Sequence, residues 1–278
     1  MRISTEATGS CFLLCSLAEL PHRTFITMAI ARPILGLFAI ILLAGGILLQ
    51  FFVILSGSVY STPENSIYFL EASTNGVSGA QNPTRWTYLA LCGADSNGNN
   101  ANCGSTAPAI PFNPPQNFNT NSGLPDDFVN HQNYYYYLSR FAWVFYLIAL
   151  FFAVIAFLVS IIALCSRLGA YLVGSSTFLA MFFQALAASL MTAWTVQGRN
   201  AFLAAGQSAD LGKYAYGFTW ATFACWFLAT LFFCVGGSVG KESTNTKRSY
   251  FGRKRSTRSR GSFIDNDESG RRVKDEYD

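Results

Sequence analysis

The chain has 278 residues and a formal net charge of +4; it is 51% hydrophobic and only 12% charged. Soluble domains carry about 25% charged residues to cover their surface, so this composition excludes an ordinary soluble fold. Charge is absent in long blocks: no Asp, Glu, Lys or Arg occurs between Arg32 and Glu64, Arg140 and Arg167, Arg167 and Arg199, or Lys213 and Lys241. Each block supplies the roughly 20 apolar residues needed to cross a hydrocarbon core of about 30 Å.

The first segment, 1–33, reads as cytoplasmic. Its apolar run CFLLCSLAEL (Cys11–Leu20) is too short to span. Met28 begins MAIARPILGLFAI, which reads like a natural start, with 1–27 a gene-model extension or dispensable arm. A cleaved signal peptide is the competing reading, although no small-x-small site follows the run. Span one is expected over 34–55, a large outer loop over 56–140, span two over 141–164 and an inner turn over 165–170. Span three is expected over 171–195, a second outer loop over 196–215, span four over 216–237 and a basic tail over 238–278. LIALFFAVIAFLVSIIAL (Leu147–Leu164) is apolar on every face, as a lipid-embedded helix is and a soluble amphipathic one is not. Tyr134–Tyr137, Trp143, Trp194, Tyr214, Tyr216 and Trp220 fall at span ends, where amphipathic rings settle at headgroups.

Orientation follows from Lys and Arg. The stretch Lys241–Ser262 holds Lys241, Lys247, Arg248, Arg253, Lys254, Arg255, Arg258 and Arg260 against one acid, Glu242. The positive-inside rule places that tail, and with four spans the N-terminus too, in the cytoplasm. The loop 56–140 then faces outward, and its acids Glu64, Glu71, Asp95, Asp126 and Asp127 outnumber its bases.

Of seven cysteines, only Cys92 and Cys103 lie in the outer loop, which faces a compartment where disulfides persist. They are expected to pair and tie down the polar GADSNGNNAN turn, a closure worth about 2–3 kcal/mol in the chain-entropy model. Cys165, Cys225 and Cys234 read as apolar fillers, with Cys165 and Cys234 also placed for palmitoylation. The loop offers one histidine, His131, and no second cysteine pair, so no metal site is expected. Trp86-Thr87-Tyr88-Leu89 alternates as a half-buried strand does, and SIYFLEA (Ser66–Ala72) is a second strand candidate. The expected fold is an all-α membrane protein: a four-transmembrane-helix bundle carrying a small, disulfide-closed, β-containing first extracellular loop.

No catalytic constellation is present. The spans hold no Asp, Glu, Lys, Arg or His, groups that ion pathways and proton relays place inside the bilayer. His22 and His131 sit in no nucleophile or zinc motif, and no phosphate-binding or dinucleotide fingerprint occurs. An enzyme, a cofactor and a nucleic-acid partner are therefore not expected. Gln50 and Gln184, polar within spans, read as interhelical hydrogen bonds rather than as a pore. Small residues at four-residue steps, Ala149–Ala153, Ala156–Ser160 and Ala185–Ser189–Ala193, permit close helix approach within one bundle or between copies. The tail bases Lys247, Arg248, Arg253, Lys254, Arg255, Arg258 and Arg260 are suited to contact anionic inner-leaflet lipids or a scaffold. Ser256, Thr257, Ser259 and Ser262 among them are candidate phosphorylation sites that would loosen such a tether.

TRWTYLALCG, then Cys103-Gly104, then PAIPFNPPQNF (Pro108–Phe118), in the large first outer loop of a four-span chain, resembles the fungal Sur-seven/PalI family of claudin-like plasma-membrane proteins. The likeness covers the spans and first loop, from about Ala31 to Gly240, and marks Trp86, Leu91, Gly93, Gly104, Pro108, Phe112 and Pro114 as its loop motif. The resemblance implies a structural protein of eisosome-associated plasma-membrane patches, tied to endocytosis, sphingolipid balance and cell-wall organisation. Implied partners are the bilayer, sphingolipids, further copies of the chain and cortical scaffold proteins. The PalI branch implies instead an accessory subunit of an ambient-pH sensing complex, but commonly with a much longer tail.

Overall fold

The computed structural model describes residues 25–58, 61–163 and 167–238. Residues 1–24 of the expected arm 1–27, the turn cysteine Cys165 and the basic tail beyond Ser238, with its lipid-contacting bases and candidate phosphorylation sites, lie outside the described residues. Four long helices dominate: α1 (Phe25–Ile54), α4 (Gln132–Ala163), α5 (Arg167–Ala204) and α6 (Lys213–Ser238). Between them lie strands β1 (Leu70–Ala72), β2 (Thr84–Trp86), β3 (Leu91–Ala94), β4 (Asn100–Ala101) and β5 (Ala209–Leu211), with short helices α2 (Pro114–Phe118) and α3 (Asp126–Asn130).

The four long helices are each apolar and long enough to cross a membrane. They close a ring in which α4 lies against α5, α5 against α6, α6 against α1 and α1 against α4. Large apolar side chains such as Leu37, Phe38, Phe151, Leu158 and Leu172 point outward, more than half exposed. A water-facing surface would not tolerate that pattern over a whole bundle, whereas lipid demands it. The interior is instead built from small residues. Ala149, Ala153, Ala156, Ala180, Ala187, Ala188 and Ala229 are fully buried, which lets backbones approach. The steps Ala149–Ala153 and Ala156–Ser160 thus face the bundle interior, while Ser189 of the third step is exposed. Gly46 of α1 is required by such an approach, because a Cβ there would lie 2.3 Å from Nε1 of Trp226 on α6. Gln50 donates from Nε2 to the Tyr146 carbonyl at 3.3 Å, and Gln184 to the Thr219 carbonyl at 3.2 Å. Both glutamines are therefore interhelical ties, as their sequence context suggested. Cys234 is buried against the bundle, in keeping with a filler.

Helical backbone continues beyond two of the apolar blocks. α5 has 38 residues, about 57 Å at 1.5 Å per residue, well beyond a bilayer core of about 30 Å. Its last turns, and the first turns of α4, rise past the apolar window and support a cap. All five strands sit at that end. They form one antiparallel sheet in the order β4-β3-β2-β1-β5.

Two details differ from the sequence reading. The strand near Trp86 spans Thr84–Trp86 rather than Trp86–Leu89, and it is not half-buried: Thr84 to Tyr88 are buried without a break. Alternation failed as a guide because Phe112, Phe118 and Phe202 cover the Trp86 face while Tyr68, Gly98 and Asn100 cover the Arg85 face. The second difference is β5, which comes from the α5–α6 connection and pairs with β1 through Leu70–Leu211, Glu71–Asp210 and Ala72–Ala209. SIYFLEA contributes only its end, Leu70–Ala72, to the sheet.

Candidate functional site

The cap is assembled around Trp86. Its indole is 2% exposed and meets Phe112 edge-on at 5.2 Å, Phe118 at 6.0 Å and Phe202 of α5 at 5.7 Å between ring centres. Its Nε1 donates to Oδ1 of Asn117 at 3.3 Å, so the one polar atom of the ring is satisfied in the interior. Phe112 in turn packs on Phe128 at 5.5 Å, Tyr135 at 5.6 Å and Trp194 at 4.9 Å. A continuous aromatic block thus joins the large first loop to the ends of α4 and α5. Gly198 makes room for it, since a Cβ there would lie 2.8 Å from Phe112 Cζ.

The segments that carry the family resemblance are bonded to one another. The amide of Ala107 donates to the Leu89 carbonyl, and that of Ile110 to the Tyr88 carbonyl, both at 3.0 Å. The Phe112 amide donates to Ser139 Oγ of α4 at 2.8 Å. Pro114 begins α2, where a proline loses no helical hydrogen bond, and is itself buried. The Asn113–Phe118 turn serves to present Asn117, which also donates from Nδ2 to the Pro111 carbonyl at 3.2 Å. Tyr88, fully buried, packs tilted against Phe69 at 4.3 Å between centres, and burial pushes its phenol well above the usual tyrosine range.

Cys92 and Cys103 form the expected disulfide, with Cα atoms 3.9 Å apart. It links β3 to the residues just past β4. The enclosed turn is ordered by Asp95, whose Oδ1 accepts from the amides of Asn97 at 2.9 Å and Asn99 at 2.7 Å. Gly98 adopts φ +78°, a left-handed conformation that glycine reaches without steric cost. Of the motif glycines, Gly93 lets the Gln81 side chain lie close, its Cβ position being 2.2 Å from Gln81 Oε1. Gly104 meets nothing nearer than 3.7 Å, and it and Pro108 are exposed. Leu91 packs partly buried against the aromatic block.

Sequence reasoning missed the residue that ties this hairpin to the rest of the sheet. Arg85 is 5% exposed. Its Nε donates to Glu71 Oε2 at 2.5 Å, and its Nη1 to the Gly98 carbonyl at 2.9 Å and Asn100 Oδ1 at 3.3 Å. The guanidinium also lies over the Tyr68 ring, 4.2 Å from its centre. Burial, with Glu71 close by, holds the Tyr68 phenol above its usual range. A signal was available: Arg85 and Arg140 are the two bases of the loop 56–140, and Arg85 adjoins the motif tryptophan. Among the described residues no group of three or more His, Cys, Asp or Glu could hold a metal ion.

These features define a class: a four-span membrane protein whose large loop folds as a disulfide-closed sheet on the ends of its own helices. Within that class, the model of the SUR7/PalI family matches residues 35–232, and the chain belongs to that family. It is 39% identical over 206 residues to Protein SUR7 of Candida albicans, a match covering 74% of this chain and 75% of that one. It is 40% identical over 195 residues to the SUR7 family protein FMP45 of Saccharomyces cerevisiae, covering 69% of this chain but 63% of the relative. A further Saccharomyces cerevisiae relative, described as an uncharacterized plasma membrane protein, is 38% identical over 183 residues, 65% of this chain and 60% of its own length. The chain thus spans less than two thirds of the length of these two Saccharomyces relatives. No solved structure matches it.

Proposed function

We propose that this chain is a multi-pass plasma-membrane protein that works by organising membrane and partners rather than by turnover, in the cortical, eisosome-associated patches its family resemblance implies. The observation that carries the reading is the family match across all four spans and the cap, together with a relative described as a plasma-membrane protein. In this reading the cap faces outward and both termini are cytoplasmic, an orientation supported by the basic tail from Lys241. The tail bases then lie at the inner leaflet, where each contributes about 1 kcal/mol of attraction to anionic lipid. Self-association, sphingolipids and a cortical scaffold are the partners such a role requires, and endocytosis and wall organisation the processes it would serve.

Photobleaching of a C-terminally tagged copy in living fungal cells tests the reading. Cortical patches that stay dark for minutes are expected. Even fluorescence that refills quickly would overturn it, and impaired delivery of a polytopic pH sensor on deletion would point to an accessory signalling subunit instead.

A further inference from the structure

Two concavities lie next to each other at the cap end of the bundle, and Tyr134 lines both. The first, ≈ 480 Å³, is bounded by Tyr137, Leu138, Phe141 and Phe145 of α4 and Leu190 of α5. Its surface is almost wholly apolar, and the rings of Tyr137 and Phe141 are more than half exposed. The second, ≈ 440 Å³, carries the polar side chains Asp127, His131, Gln197 and Asn200 in a lining completed by Tyr135 and Ala201. Both volumes fall within the range of sites that hold a small ligand, about 300–1,000 Å³.

We infer that the two concavities form one site for a zwitterionic phospholipid of the leaflet at the cap end, its chain along Phe141 and Phe145 and its ammonium beside Asp127. The apolar half lies on spanning helices, at the height where Tyr134 and Tyr137 mark the interface, so lipid is the partner present there. The polar half selects the headgroup by charge. Asp127 is an acid whose side chain remains 44% exposed even though it pairs with His131 Nδ1 at 3.0 Å and accepts from the Tyr135 hydroxyl at 2.5 Å. No lysine or arginine lines the concavity. A carboxylate sharing a concavity with the exposed Tyr134 ring suits an ammonium, which aromatic faces also attract. The carboxamides of Gln197 and Asn200, exposed on α5, are placed to donate to the phosphate of the same headgroup. A purely anionic headgroup would meet the Asp127 charge with no facing lysine or arginine.

The full chain, purified in detergent, would be titrated with 1-palmitoyl-2-oleoyl phosphatidylcholine and, separately, with diacylglycerol of the same chains, and bound lipid counted by native mass spectrometry. Phosphatidylcholine is expected to bind about tenfold more tightly. Asp127→Asn, which keeps an acceptor oxygen for Tyr135, should weaken phosphatidylcholine about three- to tenfold by removing the charge beside the ammonium and leave diacylglycerol, which has no ammonium, unchanged. Phe141→Asn should weaken both lipids. Equal binding of the two lipids by the unaltered chain, or an Asp127→Asn chain that keeps its preference, would overturn the assignment.

Discussion

The cap and the bundle are built by opposite means. The cap packs large rings: Phe69, Trp86, Tyr88, Phe112, Phe128 and Phe202 are all nearly or fully buried within it. It is also stapled by a disulfide and by an ion pair. The bundle interior is mostly alanine with single polar ties and a few large side chains such as Trp226, and many other bulky side chains face outward. The difference follows from the solvent. In water, burying aromatic area is strongly favourable, and a short-stranded sheet needs that burial to persist. In lipid, moving a leucine from tails to a helix interface gains little, so close backbone packing and hydrogen bonds must hold the helices together.

Substitutions can break this comparison, the largest effect coming first. Trp86→Ala should destabilise the cap by about 3–5 kcal/mol, as for a buried aromatic truncation, while leaving helix content nearly unchanged. Circular dichroism at fixed temperature, read beside protease nicking of the loop, separates the two. Concerted loss of helix and cap would show that the regions are one cooperative unit. Arg85→Ala should cost about 3–5 kcal/mol, because it leaves the Glu71 carboxylate without its partner in a partly buried place. Pairing it with Glu71→Leu should recover much of that loss, a double-mutant cycle measurable by denaturation midpoint.

Replacing both Cys92 and Cys103 by serine should cost about 2–3 kcal/mol and speed cleavage within the turn 95–102. An unaltered nicking rate would mean that Asp95 and Arg85 order the turn without the bridge. The smallest effect is expected in the bundle. Gln184→Leu removes one interhelical bond of about 0.6 kcal/mol, and a thermal midpoint shifted as far as that of Trp86→Ala would end the contrast between the regions.

Much of the architecture was legible from the chain alone. Charge-free blocks long enough to span, aromatic residues at their ends and a pair of cysteines in the one large polar loop identify four spans and a bridged cap. These are local properties: each is set by a residue's own transfer free energy or by the loop it occupies. The reach of α5 past its apolar block was not legible, because helical periodicity does not register where the membrane stops. Nor was β5, three residues whose strand conformation exists because the edge of β1 lies beside them.

The role of Arg85 depended on tertiary structure in the same way. An arginine beside a tryptophan in a polar loop reads as a surface charge. It becomes an internal tie because β1 carries Glu71 opposite it and the disulfide hairpin returns the Gly98 carbonyl to its other side. By itself, then, the sequence determined that the chain crosses a membrane and closes an oxidised loop, since hydrophobic length and cysteine placement act without reference to distant neighbours. Which side chains form the cap's interior, and the paired concavities along α4 and α5, were decided by tertiary structure, because both are made where segments far apart in sequence meet.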